Sequence, residues 1–528
     1  MRPRWHLRQG RAALLIAAMA AASCGAEQAN LTGVMISDGA ASDVFVSVDQ
    51  APATDDSGAP ATVVTVDAGG GAVDTPIVLP APDAGTAMPD VLPRDTATTA
   101  DGTGGPLLPW PAAVAIVTAV KPPTFPNKTC ALADYGGNGD GVTDNTAAFA
   151  AAIAACSKAG GGHVTVAAGT FVTGAIALLD NIDLHIDAGT TLAFSGDETK
   201  YPLVLTRYQG IELMNRSPMI YALGRKNIAV TGSGVLDAAQ TVSWNKTDDS
   251  AWTTLVAWGD DGTPVNQRVL PAGSHLRTSV VMPYQSQNVL IAGLSVKNSP
   301  FWQIHPTLSS NVTLQDVSTA SSGSEATGLV IESSNDVVLQ NGSFVAGSDC
   351  VALKAGRDND GRRVNVPTKN VVLIHVRCQG AGGLLAVGSE ETGGVQNIYA
   401  SDLATMGTGI DTVLFMKATP TRGGVVSDLF LDAINASNLR GTFFVATLTW
   451  TGVTAGDFPS TFGPVSLSHV TVDGAARVLD AEGLSASMLG PFSISDATFT
   501  TITQATSTVT FTKAVTYTRV TVNGATVN

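Results

Sequence analysis

The chain is short of charge. Asp, Glu, Lys and Arg together make up 14% of its 528 residues, against about a quarter in ordinary globular domains, so the surface is mostly neutral and polar. Basic residues are the scarcer kind: 29 Lys+Arg face 44 Asp+Glu, a formal net charge of −15. With no basic excess to neutralise phosphates, a nucleic-acid partner is disfavoured. The shortage of Lys, Glu and Arg also removes common helix formers and argues against an ordinary helical enzyme. No pair of Cys or His has zinc-ligand spacing and no glycine-rich phosphate loop precedes a helix, so neither metal nor cofactor is expected. What is abundant is Gly, at 55 residues, beside a 44% content of apolar residues. That is enough to build a large core, excludes disorder throughout, and with many Thr, Val, Asn and Ser points to β structure.

The charge is unevenly placed. Residues 1–23 read as an export signal, with Arg2, Arg4, Arg8 and Arg11 ahead of the apolar run Ala12 to Ala20. That run is short of the roughly 20 residues a membrane helix needs. Ala21-Ala22-Ser23-Cys24 resembles a bacterial lipoprotein box, although Ala21 stands where leucine is commonest. Cys24 is therefore expected to carry lipid and anchor the chain at the outer membrane or cell surface; plain cleavage and secretion is the alternative. Residues 25–120 hold 12 Asp+Glu and only Arg94, and read as an acidic, low-complexity tether. Val44 to Val48 and Val63 to Val66 are expected as isolated strands, without a domain. The remainder, 121–528, carries −8.

From about residue 180 one phrase recurs: Asn or Asp, a branched apolar residue, then alternation. Copies begin at Asn181, Asn227, Asn288, Asn311, Asp336, Asn370, Asn397 and Asp428. Period-2 alternation bounded by Gly, Asn and Ser marks half-buried strands. An imperfect repeat with no helical periodicity between copies predicts an all-β, single-stranded parallel β-helix, one copy per coil. A β-sandwich is the rival, and the sparse two-residue Asn-Gly and Asp-Gly hairpin signals speak against it. The spacing also predicts one helix, Asn145 to Lys158, N-capped by Asp144, covering the open end of the first coils. Cys130 and Cys156 flank this segment, and export permits a disulfide between them. Cys350 and Cys378 lie in strands and are expected as buried thiols. Trp244, Trp252 and Trp258 lie in a long connection, where they either stack on sugar faces or anchor the loop.

Four blocks carry a family resemblance: Tyr135-Gly-Gly-Asn-Gly-Asp-Gly-Val-Thr-Asp-Asn-Thr146, Asn298-Ser-Pro-Phe-Trp-Gln-Ile-His-Pro306, Gly347-Ser-Asp-Cys-Val-Ala-Leu-Lys-Ala-Gly-Arg-Asp358 and Gly388-Ser-Glu-Glu-Thr-Gly-Gly-Val395. Residues 132–196 and 276–430 thereby resemble glycoside hydrolase family 28, the polygalacturonases and related pectin hydrolases. The resemblance implies a right-handed β-helix with a cleft along one face, a galacturonic-acid-rich substrate and inverting hydrolysis. Inversion sets the two carboxyl groups roughly 6.5–9.5 Å apart to admit a water. An acidic polysaccharide is thus the expected partner, and the chain is expected to be a monomer.

The same alignment shows where the chain departs. The family's Asn-Thr-Asp-Gly is Glu325-Ala326-Thr327-Gly328, so one water-activating aspartate is Thr327. Its Asp-Asp pair is Ser348-Asp349, which puts serine at the general-acid position and Asp349 at the surviving base. Its Gly-His-Gly falls in Gly380-Ala381-Gly382-Gly383, without histidine. Its Arg-Ile-Lys is Phe415-Met416-Lys417, keeping only the lysine. A serine hydroxyl does not replace a raised-pKa carboxyl as proton donor, so the resemblance implies weakened, altered or lost hydrolysis. Asp349 is the first catalytic candidate, or a leftover of ancestry. Glu325 is the second, because strand neighbours two apart face the same side and it points where Thr327 does. Lys417 either binds a uronate or pairs with an acid such as Asp349. Lys354 and Arg357, with Arg362 and Arg363, suit a polyanion or pair with Asp358 and Asp360. His305 beside Trp302 is expected to pack. A non-catalytic glycan-binding protein, or a hydrolase rewired onto Glu325 and Asp349, stays open beside the first reading.

Overall fold

The computed structural model describes residues 108–238, 244–380 and 382–527, together with the backbone of four strands nearer the N-terminus. The signal and Cys24 lie outside the described residues. The four strands, Val34–Ile36, Val44–Asp49, Val63–Asp67 and Ile77–Val78, form an antiparallel sheet in a unit spanning Met1–Asp90. The stretch read as extended tether therefore contains a small sheet, not isolated strands.

The second unit, Val91–Asn528, is a right-handed parallel β-helix. A twenty-stranded sheet forms most of the wall. The recurring phrase is its pairing unit: Ile182, Ile228, Val289, Val312, Val337, Val371, Ile398, Leu429, Val465 and Phe492 stand in register, coil on coil. These side chains are buried and stack inwards. The Asn or Asp that opens each phrase turns the chain: Asn181, Asn227, Asn288, Asn311, Asp336, Asn370, Asn397 and Asp428 all have φ between 52° and 60°, a region these short polar side chains tolerate best after glycine. Stacked corners also bond to one another. Asn227 donates to Asn181 (2.9 Å), Asn288 to Asn227 (2.8 Å) and Asn311 to Asn288 (2.8 Å), so the residue that makes the corner also satisfies its neighbour's amide.

Among the described residues, four α-helices depart from the strand pattern. The helix α1 (Pro111–Ala119) lies inside the stretch assigned to the tether. It is docked: Ala113 and Val120 are buried among Val338, Val372, Ile374 and Tyr399 on the outside of the large sheet. The tether boundary at residue 120 is thus too late, because the docked segment reaches back to Leu108 and Trp110. The helix α2 (Thr146–Lys158) buries Phe149, Ala152, Ile153 and Cys156 over the first coils. Its N-cap is Asn145, not Asp144, although the Asp144 carboxylate still accepts from the Thr146 amide at 3.1 Å. Cys156 is bonded to Cys130. The helices α3 (Asp249–Asp260) and α4 (Asp358–Val364) interrupt the coils where no helix was expected. Trp252 and Trp258 thus stand on a helix, while Trp244 packs on Tyr201 at 4.6 Å.

Cys350 and Cys378 are buried but not thiols. They form a disulfide with Cα atoms 5.9 Å apart. Cys378 lies near the end of the long strand Thr368–Gly380, stacked directly on the coil that carries Cys350, so both sulfurs enter the same interior.

Candidate active-site groove

The site lies on a seven-stranded parallel sheet that closes the coils. Its first five strands are β1 (Leu329–Glu332), β2 (Val351–Lys354), β3 (Gly383–Gly388), β4 (Thr412–Lys417) and β5 (Phe444–Thr447). Leu329, Ile331, Val351, Leu353, Leu385, Val387, Leu414 and Met416 belong to the core. Alternation therefore sends Val330, Ala352, Ala386 and Phe415 outwards in one row, with Glu332, Lys354 and Lys417 two residues on. Part of this outer face is covered. Tyr208, Ile211 and Leu213 of an antiparallel hairpin, and Ala251 and Leu255 of α3, pack over Val330, Ala352 and Ala386. Phe415, Lys417 and the nearby Trp450 remain half-buried at the margin of that cover.

Asp349 precedes β2 and is held on both oxygens. The Gly383 amide donates to Oδ1 at 2.8 Å, and Lys417 Nζ donates to Oδ2 at 3.0 Å. The pair is well shielded, with side-chain exposures of 5% for Asp349 and 13% for Lys417. The ammonium also sits 4.4 Å from the Phe415 ring centre and 5.3 Å from that of Trp450, which meet edge to face at 5.1 Å. Of the two sequence alternatives for Lys417, the structure has the internal pair. Gly382 has φ +84°, and a side chain there would begin 2.8 Å from Asp349 Oδ1. The segment in which the family carries histidine is therefore closed to a side chain at this position.

Glu325 does not join Asp349. Its carboxylate pairs with Arg277 at 3.1 Å and accepts from Tyr208 Oη (3.3 Å) and Gln209 Nε2 (3.5 Å). Tyr208 opens a run of rings: it stacks on Phe301 at 4.9 Å, Phe301 stacks on Trp302 at 4.7 Å, and Trp252 meets Tyr208 edge to face at 5.8 Å. Lys354 and Arg357 lie over the two tryptophans, Lys354 on Trp302 (5.2 Å) and Arg357 on Trp252 (4.8 Å). Both converge on Glu390. Lys354 bonds its carboxylate and the Gly388 carbonyl (2.7 Å), and Arg357 lies at 3.4 Å. Burial alone would raise the Glu390 pKa; Lys354, Arg357 and Arg422 outweigh it and bring it down to about 2. Arg363 pairs with Asp360 at 2.9 Å, whereas Arg362 donates to the carbonyls of Thr421 and Arg422 and stacks on Phe458.

Beneath the cover the polar groups are fully buried. His305 packs edge to face on Trp302 at 4.7 Å and bonds Glu332 at 2.9 Å. Burial lowers the His305 pKa despite that carboxylate. Glu332 is held below the usual carboxylate range: its burial works against the charge, but Arg207 at 3.3 Å and His305 outweigh it. Glu391 goes the other way, pushed well above that range by burial although Ser460 donates to it at 2.7 Å. Among the described residues no group of three or more His, Cys, Asp or Glu is placed to hold a metal ion.

Four residues of this site escaped the sequence reading. Glu390 stands in the Gly388–Val395 block, where no spacing marks it as a partner of Lys354. Arg277, Tyr208 and Trp450 reach the groove from distant parts of the chain, and no local pattern marks them.

Fold and site together define a pectin-lyase-like β-helix protein with a charge-lined face on its short sheet. The sequence profile of glycosyl hydrolases family 28 matches residues 156–447, and the chain belongs to that family. It is 25% identical over 329 residues to a probable polygalacturonase of Vitis vinifera, covering 60% of this chain. It is 25% identical over 378 residues to an exo-poly-alpha-D-galacturonosidase of Dickeya chrysanthemi, covering 65% of this chain. The chain spans 62% of the length of each of these two relatives. Among solved structures, a hyperthermoactive exopolygalacturonase from Thermotoga maritima superposes with a TM-score of 0.70 at 33% identity, over 74% of this chain and 91% of that one.

Proposed function

We propose that this chain is a polygalacturonase-family protein that engages a pectic, galacturonan-type polysaccharide on the outer face of its short sheet, with the family's acid–base hydrolysis lost. One observation carries the reading: Asp349 is the only carboxylate left at the family's catalytic positions, and it is spent on Lys417 at 3.0 Å. Ser348 and Thr327 at the other positions supply hydroxyls, which are too weakly acidic to serve as general acid to the departing glycosidic oxygen. Glu325, the candidate replacement, is engaged by Arg277, Tyr208 and Gln209. A polysaccharide ligand is supported by the relatives, whose names state action on polygalacturonan, and by the half-buried rings of Phe415 and Trp450 on the face. The test is to incubate the full chain with polygalacturonate and pectin, following bound polymer and new reducing ends. Binding without release supports the reading; release that disappears in Asp349→Asn overturns it.

The proposed location is outside the cytoplasm. The basic head, apolar run and Cys24 support export with a lipid anchor, and two disulfides suit an oxidising compartment. Radiolabelled fatty acid incorporated by the native chain and not by Cys24→Ser is the expected result. Equal labelling of both removes the anchor.

A further inference from the structure

Resting on the reading that this face takes a pectic chain, we infer that it selects sugar residues whose carboxyl group is uncharged, such as methyl esters, over free uronates. Uronic acid residues present a carboxyl group either as a carboxylate or as an ester, and the two make opposite demands on a binding surface. A carboxylate needs a cation that is not already committed. On this face the cations are committed: Lys417 to Asp349, Lys354 to Glu390, Arg357 to Glu390 and Asp358, Arg277 to Glu325, and Arg422 to Asp358 at 2.6 Å. Arg362 is taken up by two carbonyls and Phe458. A uronate that captured Lys417 would strand Asp349, which is only 5% exposed, and leaving a buried charge unpaired is costly.

Phe415 stands where the family resemblance places a carboxylate-binding arginine. It forms a half-buried edge-to-face pair with Trp450 beside the Asp349–Lys417 pair. Such rings take up the apolar face of a sugar and an ester methyl group, and offer nothing to a carboxylate. The excess of acid over base in residues 121–528 further opposes a polyanion at long range.

The experiment compares two preparations of one polygalacturonan, methyl-esterified and fully de-esterified, each titrated against the full chain at low and physiological salt. The esterified polymer is expected to bind about tenfold tighter, the factor that one unmet buried polar contact is worth, with little salt dependence. Phe415→Leu should weaken that binding. Phe415→Arg should move the preference towards the acid form, and circular dichroism identifies a variant that has merely unfolded. Equal or tighter binding of the acid form by the native chain overturns the selection while leaving the pectic reading in place. Binding of neither polymer by folded protein removes both.

Discussion

Lys417 Nζ lies 3.0 Å from Asp349 Oδ2, and the two side chains close on each other across β2, β3 and β4. An ion pair this shielded is costly to break by halves, since the remaining partner stays buried with its charge. Lys417→Ala should therefore lower unfolding stability by about 3 kcal/mol, read from the denaturant midpoint. The double variant Asp349→Asn/Lys417→Met should recover most of that loss. A single variant within about 0.5 kcal/mol of the native chain, the range of ordinary surface changes, contradicts the pairing.

Adjacent residues Glu390 and Glu391 should give stability opposite pH dependences. The Glu390 pKa falls from 4.5 to about 2, so its contribution is complete above pH 4.5 and is lost as the pH drops towards 2. The Glu391 pKa is raised, so its contribution is complete below 4.5 and is lost as the pH rises through the folded-state value. Glu391→Gln, which mimics the neutral acid, should leave stability at pH 4 nearly unchanged and raise it at pH 8. A loss at pH 8 would show that the charged form is the native one.

His305 adds to the acid limb. Burial lowers its pKa below 6.5, so folding favours the neutral ring, and stability falls as the pH drops below 6.5. His305→Gln should flatten unfolding curves between pH 6.5 and 5 relative to the native chain; an unchanged slope assigns that dependence elsewhere.

The disulfide between Cys350 and Cys378 closes a 28-residue separation. A loop of that size is worth about 3–4 kcal/mol, so Cys350→Ser/Cys378→Ser should melt well below the native chain under oxidising conditions. Equal melting temperatures would show that the bridge contributes nothing.

The fold was largely legible because its corners are chemical. Asn or Asp before a branched apolar residue is what a left-handed corner followed by an inward strand requires, and all eight expected starts sit at such corners. The helices were less legible. Pro111–Ala119 is apolar all round, so it carries no face to read, and it is packed by contacts with Tyr399 and Val372 far along the chain. Asp249–Asp260 buries only Ala251, Leu255 and Gly259, too few and too small to stand out as a helical stripe. The site divides the same way. The positions of Ser348, Asp349, Thr327 and Lys417 followed from local motifs. The union of Glu325 with Arg277, and of Lys354 with Glu390, depends on coil stacking and on a long connection folding back over the sheet. The Cys350–Cys378 bond was missed for that reason: stacked coils bring together residues whose spacing looks arbitrary in sequence.

The most direct test of the central claim is a paired assay on one sample of the full chain with pectic polymer, recording bound polymer and reducing ends together. Saturable binding is expected, weakened by Phe415→Leu, with reducing ends at the level of polymer alone. Reducing ends that accumulate with native protein and return to background in Asp349→Asn would contradict it.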